Sequence, residues 1–266
     1  MKVVISALHF PWSDMKACLR HATAGLGLDG VELSWHSSFA RPHCTREDIE
    51  QLVRLAPGSG IELCAHIWEN LARMEPGSAE DALRGWLELC GRTGVTGLVI
   101  HGGSYDDQRE GIARTRRLLE RVLPQFERQG VTLLLENHYA YDYRNCHELF
   151  SEPWEFQEVL SLESPALRIC FDTGHAHMTR NIDELLTSLS DHLQHIHLAD
   201  NDGRDDLHCA YAAGTVPFER IYDTLATLGF DGTFCIESPV RDDLRSFRKC
   251  LSMIRERWPG AAGRGR

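Results

Sequence analysis

The chain has 266 residues, of which 42% are hydrophobic and 25% are charged, and its formal net charge is −11. That length accommodates one α/β barrel or two small domains, and it is ample for a large buried core. The negative charge does not favour a polyanionic partner, and no apolar run is long enough to span a bilayer, so neither nucleic acid nor a membrane is an expected partner.

Short apolar runs alternate with helical stretches from one end of the chain to the other. The runs predict eight strands, at Val3–Leu8, Gly30–Leu33, Ile61–His66, Gly97–His101, Val131–Glu136, Leu167–Phe171, Leu193–Leu198 and Thr233–Glu237. Amphipathic patterns between them predict helices. Among these are Ala79–Gly91, Gly111–Arg128, Trp154–Leu162, Ile182–Leu189 and Phe218–Leu228.

The strand runs are continuously apolar rather than alternating, which is typical of a parallel sheet covered by helices on both faces. Eight βα units in about 250 residues predict an α/β fold, a single (β/α)8 TIM barrel over residues 1–258. We expect the remaining residues, 259–266, to be a disordered tail. A doubly wound sheet is the alternative, but no Gly-x-Gly-x-x-Gly motif follows the first strand.

The cysteines indicate a reducing compartment. There are nine of them, an odd number, without a Cys-x-x-Cys pair, and most lie in apolar runs such as Leu63–Ala65 and Ile169–Phe171. Buried thiols are therefore expected rather than disulfides. The segment Met1–Ser6 enters a strand directly and does not resemble a signal peptide, so we expect a cytoplasmic protein. A homo-oligomer is left open.

Six consecutive strands carry an acid or an imidazole at or near their C-terminal ends. In a parallel barrel these ends share one rim, where active sites form. Packed carboxylates repel one another and raise one another's pKa unless a cation neutralises them, so a metal ion explains the set best. The six residues are His66, His101, Glu136, Asp172, His197 and Glu237.

Ordinary structural roles compete with this interpretation. Asp172 and Asp200 could each be only the N-cap of a following helix. Glu136 and Glu237 are harder to explain in that way, because each ends an apolar strand and an unpaired buried acid is costly. A hydrogen-bonding role is the default for four other histidines: His9, His36, His138 and His177.

Two loops add candidate ligands or substrate contacts. His175 follows Asp172 by three residues, and Asp206 and His208 are two residues apart after the seventh strand. On an extended loop, residues two apart face the same side. A solvated acidic loop is the alternative, and it explains His208 poorly.

These motifs resemble those of the xylose-isomerase-like barrels, a superfamily that includes sugar isomerases, ketose epimerases, inosose dehydratases and endonuclease IV. The resemblance runs nearly end to end. Its most specific stretches are Leu135–His138, Cys170–His175 and His195–Gly203, followed by the His208 to Gly214 loop and the terminal Ile236–Glu237.

In the epimerase branch, the resemblance implies one manganese, cobalt or magnesium ion held by Glu136, Asp172, His197 and Glu237. The two glutamates would also be the catalytic acid and base, and His175 would contact substrate oxygens. An arginine is usual in that branch at the position of His208, so a ketohexose substrate is in doubt. The mixed oxygen and imidazole set also suits iron or zinc.

In the endonuclease branch, the resemblance implies three zinc ions, and suitable residues occupy all nine ligand positions. The additional ones are His66, His101, His175, Asp206 and His208. However, the long loops are acidic or aromatic, as in Ser104–Asp107 and Tyr139–Tyr143, which does not suit DNA. We therefore rank a multinuclear-metal hydrolase second and a non-catalytic sugar-binding barrel third.

The favoured hypothesis is a metal-dependent sugar isomerase or epimerase with a small, sugar-like or cyclitol-like substrate. A metal-chelated hydroxy-carbonyl would lose a proton to one carboxylate. Isomerisation, epimerisation and dehydration need the same residues and stay open. We expect one tightly held ion, with the five additional residues mainly facing substrate.

Overall fold

A computed structural model of the protein describes residues 1–240 and 244–260. Its eight strands are all parallel and close in chain order, with the last strand paired to the first. This confirms the predicted TIM barrel. The strands are β1 Lys2–Ser6, β2 Gly30–Trp35, β3 Glu62–Ile67, β4 Gly97–His101, β5 Thr132–Glu136, β6 Leu167–Asp172, β7 Leu193–Leu198 and β8 Thr233–Ile236.

Helices surround the barrel and connect its strands. In the described ranges they are α1 Met15–Arg20, α2 Arg46–Leu55, α3 Pro76–Thr93, α4 Gln108–Gln129, α5 Pro153–Leu160, α6 Thr173–Thr179, α7 Ile182–Ser188, α8 Phe218–Thr227 and α9 Arg245–Arg257. The predicted helices agree with these to within a few residues. Helix α4 begins earlier than expected because the Asp107 side chain accepts a hydrogen bond from the Glu110 backbone N–H and so caps it.

Residues of each strand face alternately the surrounding helices and the barrel interior. Val99, Leu134 and Cys170 form a small apolar cluster of their own, whereas their chain neighbours join the main core between sheet and helices. The small cluster is therefore the interior filling of the barrel. Two residues beyond Leu134 and Cys170, strands β5 and β6 present Glu136 and Asp172 to the same interior.

All nine cysteines lie in the part of the chain that the structure describes, and none of them forms a disulfide. Seven are buried, as the sequence predicts. No described helix is both long and apolar enough to cross a membrane. Of the predicted tail, residues 261–266 lie outside the described residues.

Candidate functional site

A cavity of about 330 Å³ opens at the C-terminal end of the barrel. Seven of the nine predicted site residues line it, and the other two, Asp172 and His197, are fully buried beside them. The strand ends and the two loops therefore bring all nine to one place. The seven are His66, His101, Glu136, His175, Asp206, His208 and Glu237.

The imidazole of His197 joins the two predicted catalytic carboxylates. Its Nδ1 atom lies 3.2 Å from Glu136 Oε1 and 3.3 Å from Glu237 Oε2. Glu237 follows β8 directly, and its backbone N–H donates to the Leu198 carbonyl at 3.2 Å, which fixes it beside β7. One nitrogen of His197 thus faces both carboxylates at the bottom of the cavity.

Asp172 is the N-cap of helix α6, and its carboxylate also lies beside other predicted site residues. Its Oδ1 atom accepts a hydrogen bond of 2.6 Å from the His175 backbone N–H and caps α6. The His175 Nδ1 atom lies 3.4 Å from the same oxygen and 3.5 Å from Glu136 Oε1. Asp200, by contrast, caps no helix and instead accepts from the backbone N–H groups of Gly214 and Val216 within its loop.

Among the described residues, four buried carboxylate oxygens lack a hydrogen-bond donor of acceptable geometry, and two of them belong to predicted ligands: Asp172 Oδ2 and Glu136 Oε2. His66 Nε2 and His101 Nε2 lie 3.3 Å and 3.2 Å from Glu136 Oε2, but not along hydrogen-bonding directions. Unsatisfied buried carboxylate oxygens are costly, and a cation would satisfy them. The donor set therefore fits a divalent metal ion.

A second group of potential ligands lies against the first. The ligand atoms of His66, His101 and Glu136 all lie within 4.8 Å of one another. The two Nε2 atoms are 3.0 Å apart, so at most one can carry a proton directed at the other. This trio could hold an ion or present two imidazoles to a substrate.

Asp206 and His208 contact each other on the loop after β7. The Asp206 carboxylate lies 3.3 Å from His208 Nε2 and 3.4 Å from His175 Nε2. Burial alone would lower the pKa of His208, but the contact with Asp206 outweighs it and raises the pKa to about 9. Among the described residues, no group with metal-ligand spacing includes Asp206 or His208.

The pKa values of the two predicted catalytic carboxyl groups are shifted in opposite directions. Burial raises the pKa of Glu237 to about 8, although His197 and His208 partly oppose the shift. Burial acts on Glu136 in the same sense, but His197, His101 and His66 outweigh it and hold the pKa well below its usual range. Near neutral pH one carboxyl therefore carries a proton and the other does not, as acid–base pairs require.

A family model described as the xylose isomerase-like TIM barrel matches residues 21–257. The chain belongs to this family. It is 24% identical over 231 residues to the uncharacterized protein MJ1311 of Methanocaldococcus jannaschii, covering 79% of this chain and 77% of that one. It is 25% identical over 185 residues to the uncharacterized protein MJ1614 of the same organism, covering 66% and 67%.

Solved structures of similar fold include a D-tagatose 3-epimerase-like protein, with a TM-score of 0.79, 22% identity, and coverage of 97% of this chain and 100% of that one. Another is a D-psicose 3-epimerase from Clostridium cellulolyticum H10 crystallised with D-tagatose, with a TM-score of 0.78, 19% identity, and coverage of 96% and 99%. At these identities, the likeness establishes the fold.

The most important residue that sequence reasoning missed in this xylose isomerase-like barrel is Glu32 on β2. Its side chain is buried, and its Oε2 atom lies 2.9 Å from His195 Nε2 and 3.2 Å from His197 Nε2. The sequence feature that could have identified Glu32 is an acidic residue inside the apolar run Gly30–Leu33. Three other acidic or imidazole residues line the cavity and were not assigned to the site: Glu69, His138 and Glu148. His138, for which a hydrogen-bonding role is the default, therefore also lines the cavity.

Proposed function

We propose that the protein is a metal-dependent sugar isomerase or epimerase that moves a proton next to the carbonyl of a small polyhydroxylated substrate. The observation that carries this proposal is the pair Glu136 and Glu237. Both carboxyls lie within 3.3 Å of His197 Nδ1 at the bottom of one cavity, and their pKa values are shifted in opposite directions.

The metal would be held by Glu136, Asp172, His197 and Glu237. Oxygen and imidazole donors without thiolate suit manganese, magnesium, cobalt, iron or zinc. A bound divalent ion would polarise the substrate carbonyl and acidify the adjacent C–H bond. The unsatisfied Glu136 Oε2 and Asp172 Oδ2 atoms support this assignment.

The two glutamates would carry the proton. In the metal-free protein Glu136 is ionised at neutral pH and Glu237 holds a proton. Binding of the ion would displace that proton, so that one carboxylate would accept the proton from carbon and the other would return one taken up from solvent. A positioned acid or base of this kind typically contributes about 10²–10⁴-fold to the rate. Return to the same carbon from the opposite face gives an epimer, and return to the neighbouring carbon gives an isomer.

The cavity wall favours an uncharged sugar without a phosphate group. Among the described residues that line it there is no arginine or lysine, whereas Glu69, Glu148 and Asp206 add carboxylates. Carboxylates accept hydrogen bonds from hydroxyls but repel phosphate oxygens. Trp68 and Tyr139 on the same wall offer flat apolar faces for a sugar ring. Proteins of similar fold include a D-tagatose 3-epimerase-like protein, a D-psicose 3-epimerase and an L-ribulose 3-epimerase, which supports the same substrate class.

The test is a panel of free ketoses and cyclitol ketones, incubated in D₂O with the Mn²⁺-loaded protein and followed by NMR. We expect solvent deuterium at the carbon next to the carbonyl of at least one substrate, together with its epimer or isomer. Glu136→Gln and Glu237→Gln should each lose this exchange. The matched control is Asp205→Asn, because Asp205 pairs with Arg144 and does not line the cavity. No exchange with any member of the panel would contradict the proposal.

A metal-cluster phosphodiesterase is the second candidate, because His66, His101 and Glu136 form another ligand group beside the first. Two or three closely spaced ions could activate water and stabilise both oxygens of an in-line displacement. The lack of basic residues on the described cavity wall ranks it lower. Nicking of abasic DNA by the Zn²⁺-loaded protein, with two or more ions per chain, would reverse this ranking.

A further inference from the structure

Glu32 lies on the side of His197 that faces away from the cavity. Its Oε2 atom is 3.2 Å from His197 Nε2, in hydrogen-bonding geometry. The other ring nitrogen, Nδ1, faces Glu136 and Glu237. The imidazole therefore bridges a carboxylate below it and the proposed metal site above it.

Imidazole rings surround the Glu32 side chain, which does not face the cavity in which a substrate would bind. Its side chain is 1% exposed and does not line the cavity, so a direct role in substrate chemistry does not fit. His195 Nε2 lies 2.9 Å from Oε2 but outside hydrogen-bonding directions, and His66 Nδ1 lies 4.0 Å from Oε1. The contact with His197 is thus the only one of the three with good hydrogen-bond geometry.

The barrel register explains why this carboxylate lies below the site. On β2, Glu32 is paired with Cys64, and Ser34 two residues later is paired with His66. Glu32 is therefore one inward-facing layer deeper than the cavity residue His66. A metal-binding histidine commonly donates its second N–H to a carboxylate, which fixes the tautomer and orientation of the ring and strengthens it as a ligand.

We propose that Glu32 is a positioning residue for the metal centre. It accepts a hydrogen bond from His197 Nε2–H, and this leaves the lone pair of Nδ1 directed at the site once the Nδ1 proton is lost. The inference rests on the proposed function only in that it takes His197 to be a metal ligand. A purely structural role would affect stability but not metal affinity.

The first experiment measures Mn²⁺ binding to full-length, chelator-stripped protein, with free Mn²⁺ followed by EPR. Glu32→Gln keeps the shape of the side chain and removes its charge. We expect its Kd for Mn²⁺ to rise by about 10–100-fold, which is typical when an outer partner of a ligand is lost. The matched control is Glu155→Gln, which removes another buried carboxylate. Glu155 accepts hydrogen bonds from the Ser151 and Glu152 backbone N–H groups just before α5 and does not line the cavity.

The control should lower the melting temperature and leave the Kd unchanged. An unchanged Kd in Glu32→Gln would overturn the proposal. So would the loss of one of two bound ions, because Glu32 belongs to two groups with metal-ligand spacing and would then be a ligand itself. One group comprises Glu32, His195, His197 and Cys235, and the other comprises Glu32, His66, His197 and Glu237. These readouts use no substrate, so a failure of the sugar assay would leave them standing.

A second measurement does not depend on a folded variant. In wild-type protein labelled with ¹⁵N-histidine and loaded with diamagnetic Zn²⁺, NMR assigns the protonated nitrogen of each imidazole. We expect the ring proton of His197 to be on Nε2 and to be donated in a hydrogen bond to Glu32. A proton on Nδ1, or none on Nε2, would refute the positioning role.

Discussion

Lowering the pH should weaken metal binding to this protein, because the metal-free ligands hold protons that a metal ion must displace. Burial raises the pKa of Glu237 to about 8. Burial would lower the pKa of His197, but the neighbouring carboxyl groups of Glu237, Glu32 and Glu136 outweigh it and raise the pKa. Both groups are therefore protonated near neutral pH in the metal-free protein.

The size of the effect follows from the Glu237 pKa. A solution at about pH 6 is about two pH units below the Glu237 pKa of about 8. Each unit of this difference adds about 1.4 kcal/mol to the free energy needed to deprotonate the carboxyl group. At about pH 6 deprotonation therefore costs about 3 kcal/mol, which raises the apparent Kd for Mn²⁺ about 100-fold. At about pH 8, where half of the carboxyl groups are protonated, the apparent Kd rises only about twofold. Glu237 alone should therefore make Mn²⁺ binding about 50-fold weaker at pH 6 than at pH 8, and the His197 proton should steepen the slope further.

The assay titrates Mn²⁺ across this pH range in buffers that do not chelate metal, and measures the protons released in weakly buffered solution. Wild type should release at least one proton per ion near pH 7. Glu237→Gln should bind more weakly at pH 8 and lose about one proton from the slope, whereas Asp205→Asn should match wild type. A Kd that is flat between pH 6 and 8, or a wild-type slope in Glu237→Gln, would refute the reasoning.

Three further outcomes are expected. His208→Ala should lower kcat/KM by roughly 10–100-fold, because a charged hydrogen bond is lost, and should leave the tightly bound ion in place. If elemental analysis shows that this variant has lost an ion, the site is a metal cluster instead. In the metal-free protein kept in EDTA, the stabilisation from the His208–Asp206 contact should be fully present below about pH 6.5, the usual histidine pKa, and lost as the pH rises through about 9. The melting temperature should therefore fall less between these two pH values in His208→Ala than in wild type. Gly214→Ala should cost about 1–3 kcal/mol in urea unfolding, because its Cβ would lie 2.3 Å from the Asn201 carbonyl oxygen, whereas Gly85→Ala, with nothing within 4 Å, should not.

The architecture could be predicted because most strands are short, mainly apolar runs with an acid or an imidazole at or near their C-terminal ends. The errors are confined to the ends of elements. The run Val3–Leu8 continues the strand pattern, but the chain leaves the sheet after Ser6 and makes a 3-10 turn at Ala7–His9. Apolarity does not reveal this, since Ala7 is buried in the 3-10 turn just as the strand residues directly before it are.

The candidate site could be predicted to the extent that its residues end strands. Glu136 and Asp172 end β5 and β6, and Glu237 follows β8, so their positions on the rim follow from parallel topology alone. Glu32 could not be assigned in this way, because its position depends on how far β2 is shifted relative to β3. That shift is set by closure of the barrel, and no local pattern encodes it.

The charge balance at the bottom of the cavity connects the two proposals. Four carboxylates, from Glu32, Glu136, Asp172 and Glu237, converge there, each at most 5% exposed. Imidazolium protons can neutralise part of this charge in the metal-free protein, and His197 contacts three of the four. A divalent ion would replace the protons on the cavity side, whereas the Nε2 proton beside Glu32 would stay. The same imidazole would then serve as a ligand above and a hydrogen-bond donor below, and for this reason metal affinity should be sensitive to a carboxylate that never touches the ion.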